Sequence, residues 1–249
     1  MNLSEKIYLA NCILPEDVFF LLKKAKAREK NKKAKKFFSL LFENIKIAGQ
    51  KKVPICQDTG LCVFYVPPDT NEKFLLNSTK VAYKNLRNSQ KISIFKNRSV
   101  ISPVIYRLRG LKKIKFLIRG GGAMNSSCFI SGNPAWGKKQ IVEIICQEVI
   151  KRAPFTCPPV FVGVGIGGTP SQAMFLSEFA LLCDLRKKMT QMENEIFEKI
   201  NKSGIGAGAW GGKNTVLSVK IKQSPLHIAT LPIGITISCW CLRKGQYGG

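Results

Sequence analysis

A mixed α/β fold, a mixed sheet with flanking helices in a single domain of one or two lobes, is predicted by three features of the sequence. Apolar residues recur at helical spacing near the start of the chain and again in its second half, and short β-branched runs lie between them. Neither an internal repeat nor a convincing linker divides the 249 residues. With 45% of residues hydrophobic, the chain can bury a core, which excludes a disordered tail.

The elements follow in order. Between Leu14 and Ile47, Val18, Leu21, Leu22 and Ala25, then Phe38, Leu41, Phe42 and Ile45, predict one long or two short amphipathic helices. Pro15, Glu16 and Asp17 suit the start of the first. The turn residues of Pro54 to Gly60 then lead into a buried strand over Leu61 to Val66. Further strands are expected over Val104 to Tyr106 and Ile114 to Ile118, the second running into Arg119-Gly120-Gly121-Gly122, where the backbone can turn sharply or approach a ligand. Helical patterns cover Lys139 to Arg152, Ser171 to Leu185 and Met192 to Lys202. A glycine-interleaved strand falls at Val160 to Ile166, and strands return at Thr215 to Ile221 and Ile228 to Ser238.

A formal charge of +25, from 40 Lys and Arg against 15 Asp and Glu, raises the question of nucleic acid, whose phosphates reward such a surface. The distribution argues against it. Lys far outnumbers Arg, the charge is scattered apart from a run between Lys23 and Lys36, and no zinc-finger, RRM or KH pattern accompanies it. A solvated Lys-rich surface, or attraction to an acidic partner, accounts for the charge better.

The nine cysteines are odd in number, and no apolar signal core follows the first basic residues, so a reducing cytoplasm is expected rather than a disulfide framework. No uncharged apolar run approaches the roughly 20 residues needed to span a bilayer. Reduced cysteines are either small buried hydrophobes or metal ligands. Cys56 before Gln-Asp-Thr-Gly, Cys157 before Pro158-Pro159 and Cys239 before Trp240 each stand at a strand or turn edge. Three such thiolates can hold three corners of a cubane and leave the fourth iron open, yet spacing alone favours packing thiols.

The run Val53-Pro-Ile-Cys-Gln-Asp-Thr-Gly60, then Arg119-Gly-Gly-Gly122 with Asn125, then Cys157-Pro-Pro-Val-Phe-Val-Gly-Val-Gly-Ile-Gly-Gly-Thr169, resembles the alpha subunit of class I fumarate hydratases and of L-tartrate dehydratase. Met192-Glu-Asn-Glu195, Ile200 to Gly206, Gly211 to Thr215, His227-Ile-Ala229 and Cys239-Trp240 follow in the family's order, so the resemblance covers Leu14 to Lys244.

The resemblance implies an iron–sulfur-dependent hydro-lyase that interconverts fumarate and malate, or dehydrates tartrate to oxaloacetate. It further implies a 4Fe-4S cluster held by Cys56, Cys157 and Cys239, with Cys12, Cys62, Cys128, Cys146 and Cys183 as packing thiols. Cys241 is a rival two residues on, but only the cysteine before Trp matches the pattern. By the same resemblance Gln57 and Asp58 lie at the substrate, and Asp58 takes part in proton transfer or orients a group that does. An Asp that merely fixes its own turn is the competing reading. Arg98 matches an arginine that grips a substrate carboxylate, and His227, the single histidine, matches one lining the site. Gly120, Gly121 and Gly122 would offer backbone N–H groups to an anion, with Asn125 beside them.

A dinucleotide fingerprint in Gly163 to Gly168 fails, because no acidic residue follows roughly 20 positions on at a second strand's end. Three departures from the family's pattern stand out: a shortened segment between Pro103 and Leu111, Ala123-Met124 where Ser-Glu is usual, and the absence of the usual basic residues from the helix that follows Thr169. The first two motivate a second expectation, a subunit that keeps the fold and binds a partner without turnover. The chain ends at Gly249 with one domain over residues 1–249, so a beta subunit is expected to complete the active site in a hetero-oligomer.

Overall fold

The computed structural model describes residues 1–89 and 102–248, so Arg98 lies outside the described residues. Helices form over Leu3–Ala10 (α1), Glu16–Arg28 (α2), Lys32–Lys51 (α3), Glu72–Ser89 (α4), Gly121–Ser126 (α5), Lys138–Arg152 (α6), Pro170–Ala180 (α7) and Gln191–Lys202 (α8). Strands form over Leu61–Val66 (β1), Val104–Arg107 (β2), Ile114–Arg119 (β3), Cys128–Gly132 (β4), Val160–Ile166 (β5), Val216–Gln223 (β6), Leu231–Ser238 (β7) and Arg243–Tyr247 (β8). Two compact units result: residues 1–15, 41–121 and 241–249 make the first, and residues 16–40 and 122–240 the second. Each has its own mixed four-stranded sheet, so the fold is mixed α/β with flanking helices.

In the first unit the sheet runs β2-β1-β3-β8, with β1 parallel to β2 and the other neighbours antiparallel. Strand β1, Leu-Cys-Val-Phe-Tyr-Val, is buried from its second residue on, which is why it reads as a continuous apolar run rather than an alternating one. Phe64 faces Phe116 in register, edge to face at 6.3 Å. Around that pair gather Leu3 and Ile7 of α1, Leu75, Ala82 and Leu86 of α4, and Ile118. Strand β8 reads Arg-Lys-Gly-Gln-Tyr and carries no hydrophobic periodicity, so it joins the sheet unannounced by its sequence.

The second unit's sheet runs β4-β7-β5-β6; β5 is parallel to β6 and antiparallel to β7, which is antiparallel to β4. Val162, Val164, Ile235 and Ile237 of the central strands pack with Val142, Ile145 and Val149 of α6 and Ile196 and Ile200 of α8. Helix α7 is opened by Thr169, whose hydroxyl accepts the Gln172 N–H at 3.3 Å while the Gln172 side-chain carbonyl accepts the Thr169 N–H at 2.8 Å.

The glycines interleaved in β5 let α7 approach it closely. A Cβ at Gly163 would overlap the Ser177 carbonyl oxygen, and one at Gly165 would overlap the Ala173 carbonyl oxygen. These obstacles are helix backbone, which cannot step aside without moving α7. Gly165→Ala is therefore expected to cost about 3 kcal/mol and lower Tm by roughly 6–12 °C, measured by thermal unfolding.

Candidate active site

Residues 53–60 of the first unit link α3 to β1. Cys56 is half-buried, and Gln57 and Asp58 are exposed. The Asp58 carboxylate accepts the Gly60 N–H at 2.9 Å through Oδ1 and the Gly121 N–H at 2.6 Å through Oδ2. The first bond fixes Asp58's own turn, and the second ties that turn to the end of β3. Gly120 is needed beside it, since a Cβ there would stand 2.9 Å from Asp58 Oδ2. Gly60 turns with φ +72°, and a Cβ there would lie 2.7 Å from the Arg119 carbonyl oxygen. Gly121 begins α5, so its N–H serves Asp58; Gly122 and Asn125, on the same helix, are exposed.

In the second unit Cys157 is exposed and left-handed, φ +52°, just past the one-turn helix Ala153–Thr156 and before the cis Pro158-Pro159 bond. Cys239 directly follows β7 and is half-buried. The antiparallel register pairs Phe161 with Ser238, so the entry to β5 and the exit from β7 are the same end of the sheet. Cys157 and Cys239, 82 positions apart in sequence, therefore emerge from one sheet edge.

That edge is braced. The Gly208 N–H donates to the Pro158 carbonyl at 2.7 Å, holding the residue after Cys157 against the 204–214 glycine loop. The loop in turn rests on Glu29, a buried carboxylate that accepts the backbone N–H groups of Lys30, Asn31 and Lys213 and, at 2.7 Å, the Asn214 amide. Burial pushes the Glu29 carboxyl up, but these four hydrogen bonds outweigh it and hold it below the usual carboxylate range. Because the folded value lies below the unfolded one, the stabilisation is present above about pH 4.3 and is lost as pH falls through the folded value. Glu29→Gln is expected to cost about 1–3 kcal/mol at neutral pH. The gap to the unmodified chain should narrow below about pH 4, as thermal melts across that range will register.

His227 lies elsewhere in its unit. It sits exposed on the connection between β6 and β7, its Nδ1 accepting the Ala229 N–H at 3.2 Å. Ile166 pairs with Ile233, so this connection borders the exit of β5, the opposite end of the sheet from Cys157 and Cys239. The eight residues of β7, roughly 25 Å of extended strand, run from the connection that carries His227 to Cys239. The structure places Cys157 and Cys239 at the same end of one sheet and Asp58 against Gly120 and Gly121, with His227 on the connection at the other end of that sheet.

Among the remaining thiols burial opposes the charged form a metal needs. It pushes Cys62 up to about 12 and Cys12 and Cys146 to about 11, and raises Cys128 as well. Cys183 is half-buried and Cys241 buried. Cys157 and Cys239 thus have the exposure and the shared edge to ligate one metal group, and Cys56 has comparable exposure on its loop. Among the described residues no three His, Cys, Asp or Glu side chains are gathered as around a single ion. Glu29, and Asn11 and Arg243 of the first unit, belong to none of the motifs read from the sequence, and Asn214 falls within Gly211 to Thr215 without having been given a role.

Comparison with known proteins adds family and relatives. The family model described as fumarate hydratase (Fumerase) matches residues 2–247. The chain is 31% identical over 262 residues to a Methanocaldococcus jannaschii protein provisionally named L(+)-tartrate dehydratase subunit alpha, covering 93% of this chain and 90% of that one. It is 24% identical over 260 residues to the L(+)-tartrate dehydratase subunit alpha of Escherichia coli K12, covering 93% and 84%.

Proposed function

The chain belongs to the fumarate hydratase (Fumerase) family of hydro-lyases, and from that premise we propose that it is the alpha subunit of an iron–sulfur enzyme acting on a hydroxy-dicarboxylate. The reaction is the reversible hydration of fumarate to malate or the dehydration of tartrate to oxaloacetate. The observation that carries the reading is the common sheet edge of Cys157 and Cys239. With Cys56 they would hold a 4Fe-4S cluster, which when bound supplies a Lewis-acidic iron that polarises the substrate's hydroxyl and carboxylate. Cys12, Cys62, Cys128 and Cys146 suit that work poorly, their thiols being raised by burial.

The chain's own polar groups do the rest. Each Asp58 oxygen has a lone pair left after its backbone bond, so the carboxylate can accept a substrate proton or orient Gln57 beside the reacting carbon. Gln57, exposed next to it, can donate to a substrate carboxylate. Arg98 is assigned the forked grip on the second carboxylate. His227, on the far edge of its sheet, is given no step with these groups. A beta subunit, which the name "subunit alpha" of the relatives implies, would complete the cleft, and a reducing cytoplasm would keep the thiols free.

The test is anaerobic purification with the beta subunit, iron and sulfide analysis, and assays with fumarate, malate and tartrate. About four irons per chain and turnover of one of these acids is the expected result. Colourless, iron-free protein would sink the reading. Iron without turnover would favour a partner-binding subunit that has lost catalysis, the reading motivated by Ala123-Met124.

A further inference from the structure

We propose that Arg243 is the positioning residue for the Cys56–Gln57 segment, acting with Asn11 to fasten it on both sides. The inference deepens the reading above and rests on it for its catalytic meaning. All the groups involved lie in the first unit.

One nitrogen of Arg243, Nη1, donates to the Asp58 carbonyl at 2.8 Å and to Asn11 Oδ1 at 2.7 Å, which uses both of its N–H bonds. Asn11 is fully buried, and its side-chain nitrogen donates to the Ile7 carbonyl at 3.1 Å, which fixes the orientation of its Oδ1. The backbone carbonyl of the same Asn11 accepts the Ile55 N–H at 2.8 Å. Asn44 donates to the Ile55 carbonyl at 2.9 Å. The bonds close a circuit: Arg243 to Asn11, Asn11 to Ile55, along the chain through Cys56 and Gln57 to Asp58, and back to Arg243. Cys56 and Gln57 are the two residues left outside these attachments, one proposed to meet the cluster and the other the substrate.

A guanidinium buried to 2% exposure is costly to desolvate, so spending it on a loop carbonyl needs a return. The return is a segment whose ends cannot shift while its centre stays accessible, since half-buried Cys56 and exposed Gln57 must face a cofactor and a ligand with little play. Arg243 also stands on β8, in register with Ile118 of β3, and β3 leads directly to the Gly121 N–H that binds the Asp58 carboxylate. Both faces of Asp58, carbonyl and carboxylate, are thereby referred to the same pair of strands.

Selective thiol labelling of the full-length, metal-free chain tests this without the cluster. Iodoacetamide labelling, read by mass spectrometry at each cysteine, should be about tenfold faster at Cys56 in Arg243→Met than in the unmodified chain. Cys157 and Cys183 in the second unit, and buried Cys12 and Cys62, should keep their rates within about twofold. Arg243→Lys should recover part of the protection, because an ammonium has donors for the same two acceptors. Asn11→Ala should reproduce the selective rise. An unchanged Cys56 rate in a folded Arg243→Met protein would overturn the proposal. So would a parallel rise at Cys12 and Cys62, which would mark Arg243 as a support of the whole first unit. An iron-free native enzyme would defeat the cluster reading separately, and the labelling result would stand.

Discussion

Cys157→Ser in the anaerobically purified enzyme should release bound iron and lower turnover by about a thousandfold or more. The sheet register explains why this substitution should act so strongly. Cys157 and Cys239 lie at the same end of the β5–β7 pair, so losing either removes one of the two thiols that the fold places there. A serine hydroxyl is a far weaker iron ligand than a thiolate, and a cubane held at two corners loses metal readily. Cys239→Ser should behave the same way. Cys146→Ser is the control: that thiol lies in the core between α6 and α8, donating toward the Ile196 carbonyl, and its replacement should alter stability while leaving iron in place. Full iron content in Cys157→Ser would remove Cys157 from the ligand set.

Much of this arrangement was legible in the sequence because its signals are local. Strand β1 begins and ends at the predicted residues, β5 does the same, and the long N-terminal pattern resolves into α2 and α3. Other elements hid for physical reasons. Strand β8 is polar because its residues serve the sheet through backbone bonds and serve the Asp58 loop through Arg243, so no apolar alternation marks it. Helix α4 and the short α1 bury apolar residues in the core of the first sheet, and a pattern reading passed over both. At the site, the thiols stood out by their unusual neighbours. The register that pairs Phe161 with Ser238, and so puts Cys157 and Cys239 at one end of the sheet and the His227 connection at the other, is a long-range property that no local motif encodes. Gly121 shows the same limit: three glycines suggested a ligand-facing turn, and the first use of its N–H proves to be internal, on Asp58.

The chain produced without a beta subunit should bind iron yet hydrate fumarate at least about a hundredfold more slowly than the complete enzyme. The physical argument concerns charge and geometry at the substrate. A dicarboxylate carries two negative charges, and removing the proton beside a carboxylate pushes a further charge onto it before hydroxide leaves, so catalysis requires cationic donors fixed around both ends. In the described part of the first unit, Arg243 turns inward to hold Asp58 and Asn11, and cannot also grip a substrate with that nitrogen. Exposed lysines are plentiful, but a solvated side chain supplies little of the fixed orientation on which such stabilisation depends. The relatives' designation as alpha subunits fits a division of labour in which this chain presents the thiols and Asp58 while its partner brings ordered cations and closes off water. On that account the missing partner should depress kcat and raise KM together, while iron content stays near that of the complex. Equal kcat with and without the partner would mean that the clamp is built from this chain alone.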